Sequence, residues 1–183
     1  KRTLTRYHSN GGSTDYQRHF KDYDTYGNPT LIKEFGPSGG RCITLGYAVD
    51  TNLWKLHRIK NETYRKLNNN INNACGSRVS PGPHNGADIQ RTFHPNNGLL
   101  KNETRFQTTT SYSYHASGDV HKITDPNGHI TTLSDYHRGI AQTEQHPVDS
   151  ANNQFINITR SVNDTGTIAW EKNGRGFYTY YDY

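Results

Sequence analysis

Histidine side chains are able to act as general acids, general bases or metal ligands. The sequence has 10 histidines, and four of them lie in one stretch, at His115, His121, His129 and His137. Neutral imidazoles are common zinc ligands. However, none of these four belongs to a His-x-x-x-His pair or a glutamate-flanked pair. Instead, His115 and His137 each follow a tyrosine and come shortly before a glycine. We therefore predict solvated turn histidines, with no metal and no cofactor.

No signature of a catalytic nucleophile accompanies these histidines. The patterns Gly-x-Ser-x-Gly, His-Glu-x-x-His and the phosphate-binding P-loop are all missing from the sequence. Aromatic side chains offer a different chemistry, because Trp54, Trp170 and the 13 tyrosines are able to stack on sugar rings. Packing between structural repeats is the commoner use of such residues. The sequence thus disfavours an enzyme and leaves carbohydrate binding as an alternative.

Cys42 and Cys75 are the two cysteines of the sequence. They do not form a Cys-x-x-Cys pair, which excludes a zinc ribbon and a thioredoxin-like motif. A single disulfide between them, formed in an oxidising compartment, and two free thiols both fit the sequence.

Composition and charge exclude several classes of protein. The 21 lysines and arginines exceed the 16 acidic residues, for a net charge of +5, but they are scattered without a run of five. This pattern does not support a nucleic-acid-binding arm. No apolar stretch approaches the 18 or so residues of a membrane span. Only 30% of the residues are hydrophobic, too few for a thick helical core, whereas the many tyrosines argue against disorder.

The elements that carry these residues are predicted to be short β-strands. Residues 108–114, 120–124 and 130–136 are rich in Thr, Tyr, Val and Ile, and turn-forming residues separate them at the spacing of an all-β fold. No window shows a sustained apolar period of 3.6 residues. We also assign residues 52–67 to strand, although their scattered apolar positions would fit a helix.

One short motif recurs along the chain, in which an aromatic residue precedes Asp or His and then glycine. Its aromatic positions from residue 93 onward are spaced by 21, 22, 26 and 19 residues. A period near 20 residues is one supersecondary unit, which is too small to bury its own face. The residues assigned to this repeat motif are Tyr23, Asp24, Gly27, Tyr114, His115, Gly118, Asp125, Gly128, Tyr136, Gly139, Gly166, Tyr181 and Asp182.

The motif divides the chain into three predicted parts. Residues 1–67 contain divergent repeats, 68–90 form an insertion loop rich in Asn, Gly and Pro, and 91–183 contain regular repeats. Tyr181 and Asp182 are expected to open a further copy, so we expect the chain to be a piece of a longer polypeptide.

The strings at 23–30, 112–119, 125–132 and 174–182 resemble the repeat of RHS/YD-repeat proteins, a family that includes bacterial RHS toxin shells, Tc-toxin C components and teneurin-like shells. The resemblance implies β-hairpin repeats wound as a solenoid, a spiralling sheet that forms part of a hollow shell. Three copies depart from the family pattern by carrying His where Asp is preferred, and one lacks the aromatic residue.

Shells of this family often end in an autoproteolytic core with two Asp-Pro-x-Gly boxes. Here residues 125–128 match the first box, but residues 147–150, at the position of the second, do not. We therefore assign no catalytic aspartate, and we predict that Asp125 is a turn residue.

Four Asn-x-Ser/Thr sequons are present, at Asn61, Asn102, Asn157 and Asn163. A sequence this rich in Asn, Ser and Thr produces about this many by chance, so the count is no evidence of glycosylation. Asn61 and Asn102 occupy matched repeat positions, which makes them candidates in a eukaryotic protein.

Taken together, these features predict a structural segment of a large secreted or cell-surface protein, without catalysis of its own. Its expected partners are the remaining repeats of the same polypeptide and an enclosed or presented toxin or effector domain. The alternative is an adhesin of the same architecture that binds surface glycans. No nucleic acid and no membrane span are expected for this segment.

Overall fold

The computed structural model describes residues 2–9, 12–67, 74–78, 88–149 and 154–183, with side chains in 16–67, 74–76, 88–148 and 154–183. All regular structure in these ranges is β-strand, which confirms the predicted all-β fold. Within the same ranges, no helix is long and apolar enough to span a membrane. The chain divides into two compact units, Lys1–Thr108 and Thr109–Tyr183, each described separately below.

The first unit consists of antiparallel strands that pair mostly with their neighbours in sequence. Strand β5 is the exception, because one of its edges pairs with β7 through Glu62–Ile89 and with β6 through Leu67–Cys75. The strands are β1 (Arg2–Ser9), β2 (Gly12–Tyr23), β3 (Pro29–Gly36), β4 (Gly39–Asp50), β5 (Lys55–Leu67), β6 (Cys75–Arg78), β7 (Ile89–Phe93) and β8 (Leu100–Arg105).

A row of apolar side chains crosses the middle of this sheet. Phe20, Ile32, Ile43 and Tyr64 are consecutive register partners on β2 to β5, so they lie side by side on one face. Ile32 and Ile43 are buried, together with Leu45. Strand pairing therefore places residues far apart in sequence in a single small cluster.

The opposite face of the same strands carries a second small cluster. Cys42 and Leu67 are almost completely buried, and Leu31, Phe35 and Cys75 pack against them. Because side chains alternate between faces along a strand, Cys42 and Ile43 belong to different clusters. Neither cluster resembles a thick core, as the low content of Leu and Val requires.

The predicted insertion at 68–90 lies partly outside the described residues, since 68–73 and 79–87 are not among them. Inside it, Cys75–Arg78 form strand β6 and Ile89 begins β7, where the sequence indicated a loop. The disulfide at Cys75 holds β6 beside β5, a constraint that turn composition does not reveal.

The second unit is an antiparallel meander in which each strand pairs with the next along the chain. Its strands are β9 (Thr108–Tyr114), β10 (Val120–Thr124), β11 (Ile130–His137), β12 (Ile140–Asp149), β13 (Gln154–Val162), β14 (Ile168–Lys172) and β15 (Tyr178–Tyr180). The strands predicted at 108–114 and 120–124 have these bounds, and the one at 130–136 is a residue longer.

In the first unit, β5 confirms the strand assignment over most of 52–67.

The second unit buries very little apolar surface. Among its described residues, Ala141 and Val162 are the buried hydrophobic side chains. A core residue of a layered domain typically contacts many others, so a sheet with two such residues has no packed second layer in the described part. Hydrogen bonds, aromatic contacts and ion pairs must therefore contribute much of the stability of the second unit.

Candidate functional site

The recurring feature of both units is a hairpin turn closed by glycine. In the turn between β2 and β3, the Asp24 amide donates to the Asn28 carbonyl at 2.9 Å and the Gly27 amide donates to the Asp24 carbonyl at 3.1 Å. Gly27 has a φ of 80°, a conformation that costs glycine nothing. This is a three-residue hairpin loop with its bulge at glycine.

Four turns of the second unit repeat this geometry. They begin at His115, Asp125, Asn163 and Asn173, and the glycine three residues later has φ between 84° and 95°. In each, the opening amide donates to the carbonyl four residues on, and the glycine amide donates back to the opening carbonyl. The closing glycines are Gly118, Gly128, Gly166 and Gly176.

A carboxylate or amide at the opening position reinforces the turn from inside. Asp125 Oδ1 accepts the backbone N–H groups of Asn127 (2.9 Å) and His129 (2.8 Å). Desolvation alone would raise the pKa of Asp125, but the hydrogen bonds from His129 and Asn127 outweigh it and lower that pKa. Asp125 therefore acts as a turn-forming carboxylate in this geometry.

Asp24 has the same surroundings in the first unit. Its Oδ1 accepts the N–H groups of Tyr26 and Asn28, both at 2.9 Å. Desolvation is again opposed by hydrogen bonds from Asn28 and Tyr26, so the pKa of Asp24 is lowered.

The copy at Tyr136 and Gly139 is built differently. His137 is still in β11, where it pairs with Ile140, and the turn has just two residues, Arg138 (φ 53°) and Gly139 (φ 78°). Two positive φ values in succession identify a type I′ hairpin. The shorter spacing between tyrosine and glycine explains the difference, because it leaves no room for the three-residue loop.

Tyrosine and histidine side chains tie these turns to neighbouring strands. Tyr136 Oη donates to the Val120 carbonyl at 2.7 Å, and His115 Nε2 lies 3.0 Å from the Leu133 carbonyl oxygen. His115 is therefore half-buried and bound to a neighbouring strand, where the sequence predicted a solvated turn histidine, whereas the His129 side chain is 60% exposed, as predicted. Tyr114 is half-buried, and desolvation followed by the charge of Tyr112 raises its pKa.

His115 and His121 are close enough to interact directly. Their ring centroids are 4.4 Å apart, and the Tyr136 ring meets His115 edge-on at 5.9 Å. Desolvation, then the charges of His115 and Lys122, lower the pKa of His121. Across the described residues, no group of three His, Cys, Asp or Glu side chains converges as a metal site would require.

An ion-pair network that the sequence did not indicate joins β5, β7 and β8. The Arg91 guanidinium lies 2.6 Å from both Glu62 and Glu103, and Arg105 reaches Glu103 at 2.5 Å. The hydrogen bonds from Arg105 and Arg91 outweigh desolvation and lower the pKa of Glu103. Beside the network, the buried Asp88 carboxylate accepts the Tyr64 amide at 2.6 Å.

A similar network organises the second unit. Arg160 is mostly buried and contacts Glu144 and Glu171, each at 3.0 Å, while donating to the Ala141 carbonyl at 3.0 Å. His146 adds a contact to Glu144 at 2.9 Å. Both networks link neighbouring strands and so stabilise strand register.

Cys42 and Cys75 form a disulfide with a Cα–Cα distance of 5.8 Å. The sequence left this pairing open. The bridge links the centre of the sheet in the first unit to β6, 33 residues away in sequence.

The four sequons differ in accessibility. Asn61 and Asn102 lie half-buried within β5 and β8, paired with Gly46 and Thr92. Asn157, on β13, and Asn163, which opens a turn, are exposed. A glycan acceptor must be reachable, so the exposed pair is sterically better suited.

Aromatic rings lie on one face of the last two strands, where Tyr178 and Tyr180 are exposed and Trp170 is half-buried. Trp170 meets Tyr178 edge-on at 5.4 Å, Tyr178 stacks with Tyr180 at 6.0 Å, and Lys172 lies over the Tyr178 ring at 5.3 Å. Beyond β15, the Tyr181 amide donates to the Ala169 carbonyl at 3.0 Å, and Asp182 follows it. In the first unit, Trp54 is 77% exposed in the turn between β4 and β5.

No family model and no curated protein sequence matches this chain. Several solved structures are similar to it, among them two at low identity. One is a crystal structure of TcdB2-TccC3-Cdc42, with 12% identity and a TM-score of 0.39 over all of this chain. The other is a mutant Tc holotoxin pore of Photorhabdus luminescens, with 14% identity and a TM-score of 0.35 over 87% of this chain. This chain spans 13% and 10% of the lengths of those two chains.

Proposed function

We propose that this chain is a structural β-hairpin-repeat segment of a large secreted or cell-surface protein. In this proposal its strands form part of the wall of a β-shell that encloses or presents a toxin or effector domain. The chain has no catalysis of its own, and its partners are the remaining repeats of the same polypeptide and the enclosed domain.

The recurring turn is the observation that carries the proposal. Five turns of one geometry, at Asp24, His115, Asp125, Asn163 and Asn173, connect antiparallel strands across both units. Repeated hairpins of this kind bury little surface individually and gain stability from their neighbours. The small apolar clusters of the described residues suit a thin wall better than a solid domain.

The disulfide supports the proposed location. Disulfides persist in secreted and surface proteins and are reduced in most cytosols. The Cys42–Cys75 bridge therefore favours an oxidising compartment for this chain.

The direct test is electron cryomicroscopy of the polypeptide from which this chain comes. We expect these strands in a continuous wall around density that belongs to another segment of the chain. A row of separate solid domains, with no enclosed space, would contradict the proposal.

A second candidate function is glycan binding by a surface adhesin. The exposed Trp54 and the aromatic face of Trp170, Tyr178 and Tyr180 favour it, because exposed aromatic rings are common at binding surfaces. A glycan array of the purified chain tests it. Binding that disappears in Trp170→Ala supports the adhesin, whereas a blank array counts against it.

A further inference from the structure

The first unit contains a cavity of about 650 Å³ beside the β3–β4 hairpin. Its charged and aromatic side chains include those of Tyr16, Arg18, Glu34 and Arg41, and Gln17, Phe35, Ser38 and the glycines of the hairpin also line it. None of these residues belongs to the repeat motif or to the ion-pair networks above. A volume of this size is ample for a small ligand.

Two arginines share one carboxylate at this cavity. Arg18 Nε lies 3.2 Å from Glu34 Oε1, and Arg41 Nε lies 2.6 Å from Glu34 Oε2. Both arginines contact Glu34 through Nε. Their Nη groups, which carry most of the N–H donors of a guanidinium, do not take part in these two contacts. Two guanidinium groups thus face a single carboxylate at the cavity. The local charge is therefore positive in spite of Glu34.

The arginines remain accessible to an incoming ligand. Their side chains are 48% and 56% exposed, whereas that of Glu34 is 24% exposed. Arg18 lies over the Phe20 ring and Arg41 over the Tyr64 ring, which limits the positions the two guanidiniums can adopt. Held in this way, both remain able to pair with a second carboxylate in addition to Glu34.

An aromatic ring forms another wall of the cavity. Tyr16 lies tightly over Gly36, since a Cβ atom at Gly36 would come within 2.7 Å of the ring. The residue is nevertheless 47% exposed. One side of the ring is thus supported by backbone, and a flat ligand is able to cover exposed parts of it.

We propose that this cavity binds a sugar that carries a carboxylate, of the uronic acid class. The carboxylate of the sugar pairs with the guanidinium groups of Arg18 and Arg41, whose Nε atoms contact Glu34. The apolar face of the sugar ring packs against Tyr16. The inference does not depend on the proposed shell function, since a wall segment and an independent adhesin would both present this cavity.

Isothermal titration calorimetry of the 183-residue chain at low salt and low temperature tests the proposal. The probes are D-glucuronate, D-glucose as the neutral ring, acetate as the charge without a ring, and adenosine monophosphate. We expect D-glucuronate to bind at least tenfold more tightly than each of the others and to weaken as salt rises. Equal affinity for acetate, tighter binding of the nucleotide, or no binding of D-glucuronate would each overturn it.

Two variants locate the site. Arg18→Gln combined with Arg41→Gln should reduce the affinity for D-glucuronate at least tenfold, while Arg175→Gln, an exposed arginine of the other unit, should leave it unchanged. Tyr16→Ala keeps both arginines and should reduce the preference for D-glucuronate over acetate to below threefold. Full affinity in both the double variant and Tyr16→Ala would exclude this cavity.

Discussion

The side-chain amide of Asn28 donates a 2.7 Å hydrogen bond to the carbonyl oxygen of Leu56, which lies 28 residues further along the chain. Asn28 is 3% exposed and also donates to Asp24 Oδ2 at 2.7 Å, while its oxygen contacts His57 Nδ1. One buried amide thus holds the turn after β2 against the first residues of β5.

Replacing this amide should loosen the first unit. Asn28→Ala leaves the Leu56 carbonyl and one Asp24 oxygen without this partner, which should cost about 1–3 kcal/mol in the free energy of unfolding. Urea denaturation measures the loss, and hydrogen exchange should show it in β2 to β5. Asn157→Ala, an exposed asparagine of the other unit, is the control, with an expected change within about 0.5 kcal/mol. Equal effects of the two substitutions would refute the tethering role of Asn28.

The disulfide should stabilise one unit and not the other. Closing a loop of 33 residues contributes about 3–4 kcal/mol through the entropy of the unfolded chain. Cys42→Ser with Cys75→Ser should therefore reduce hydrogen-exchange protection in β3 to β5 and leave β11 to β13 unchanged. Because repeat arrays unfold in parts, we expect a broad transition with two components. A single sharp transition that shifts as a whole would contradict an effect confined to the first unit.

The sequence predicted the features that depend on neighbouring residues. The turns at Asp24, Asp125 and Asn163 follow from local chemistry, since a short polar side chain and a glycine are sufficient to specify them. The strands between those turns follow from alternation and β-branched composition for the same reason.

Features that depend on strand register could not be predicted in this way. Arg91 meets Glu62 because β7 pairs with β5, yet 29 residues separate them and part of that interval is loop-like in composition. The cavity at Arg18 and Arg41 also requires the pairing of three strands. Nothing in the single sequence favours these partners over the many other charged residues.

Acid should weaken the network around Glu103. The Glu103 side chain is 14% exposed and its pKa is lowered in the folded state, so the unfolded chain binds a proton more readily. The ionised Glu103 carboxylate therefore contributes its full stabilisation at pH values above the ordinary glutamate pKa of about 4.3. This stabilisation is lost as the pH falls through the lower pKa that Glu103 has in the folded state. Urea midpoints measured between pH 6 and pH 3 should decline, and Glu103→Gln should decline less steeply. The slope is the test, because Glu103→Gln also weakens the contacts of Arg91 and Arg105 at neutral pH. If the urea midpoint of Glu103→Gln falls with pH as steeply as that of the parent, Glu103 does not contribute to the pH dependence of stability. Asp182→Asn, which removes an exposed carboxylate of the other unit, serves as the control.

Glycine should matter in the repeated turn for its backbone conformation and not for space. Gly128 has a φ of 86°, and a Cβ atom built there meets nothing within 4 Å. Gly128→Ala should therefore cost about 1–2 kcal/mol, the penalty of a left-handed conformation for an L-residue. Gly46 is the matched control, because it lies within β4 without a positive φ and its Cβ would make an ordinary 3.6 Å contact with Asn61. Gly46→Ala should be neutral or slightly stabilising, since it reduces the entropy of the unfolded chain. Denaturation midpoints of the two variants compare these effects directly, and a Gly128→Ala variant as stable as the parent would show that the turn at Asp125 does not require this conformation.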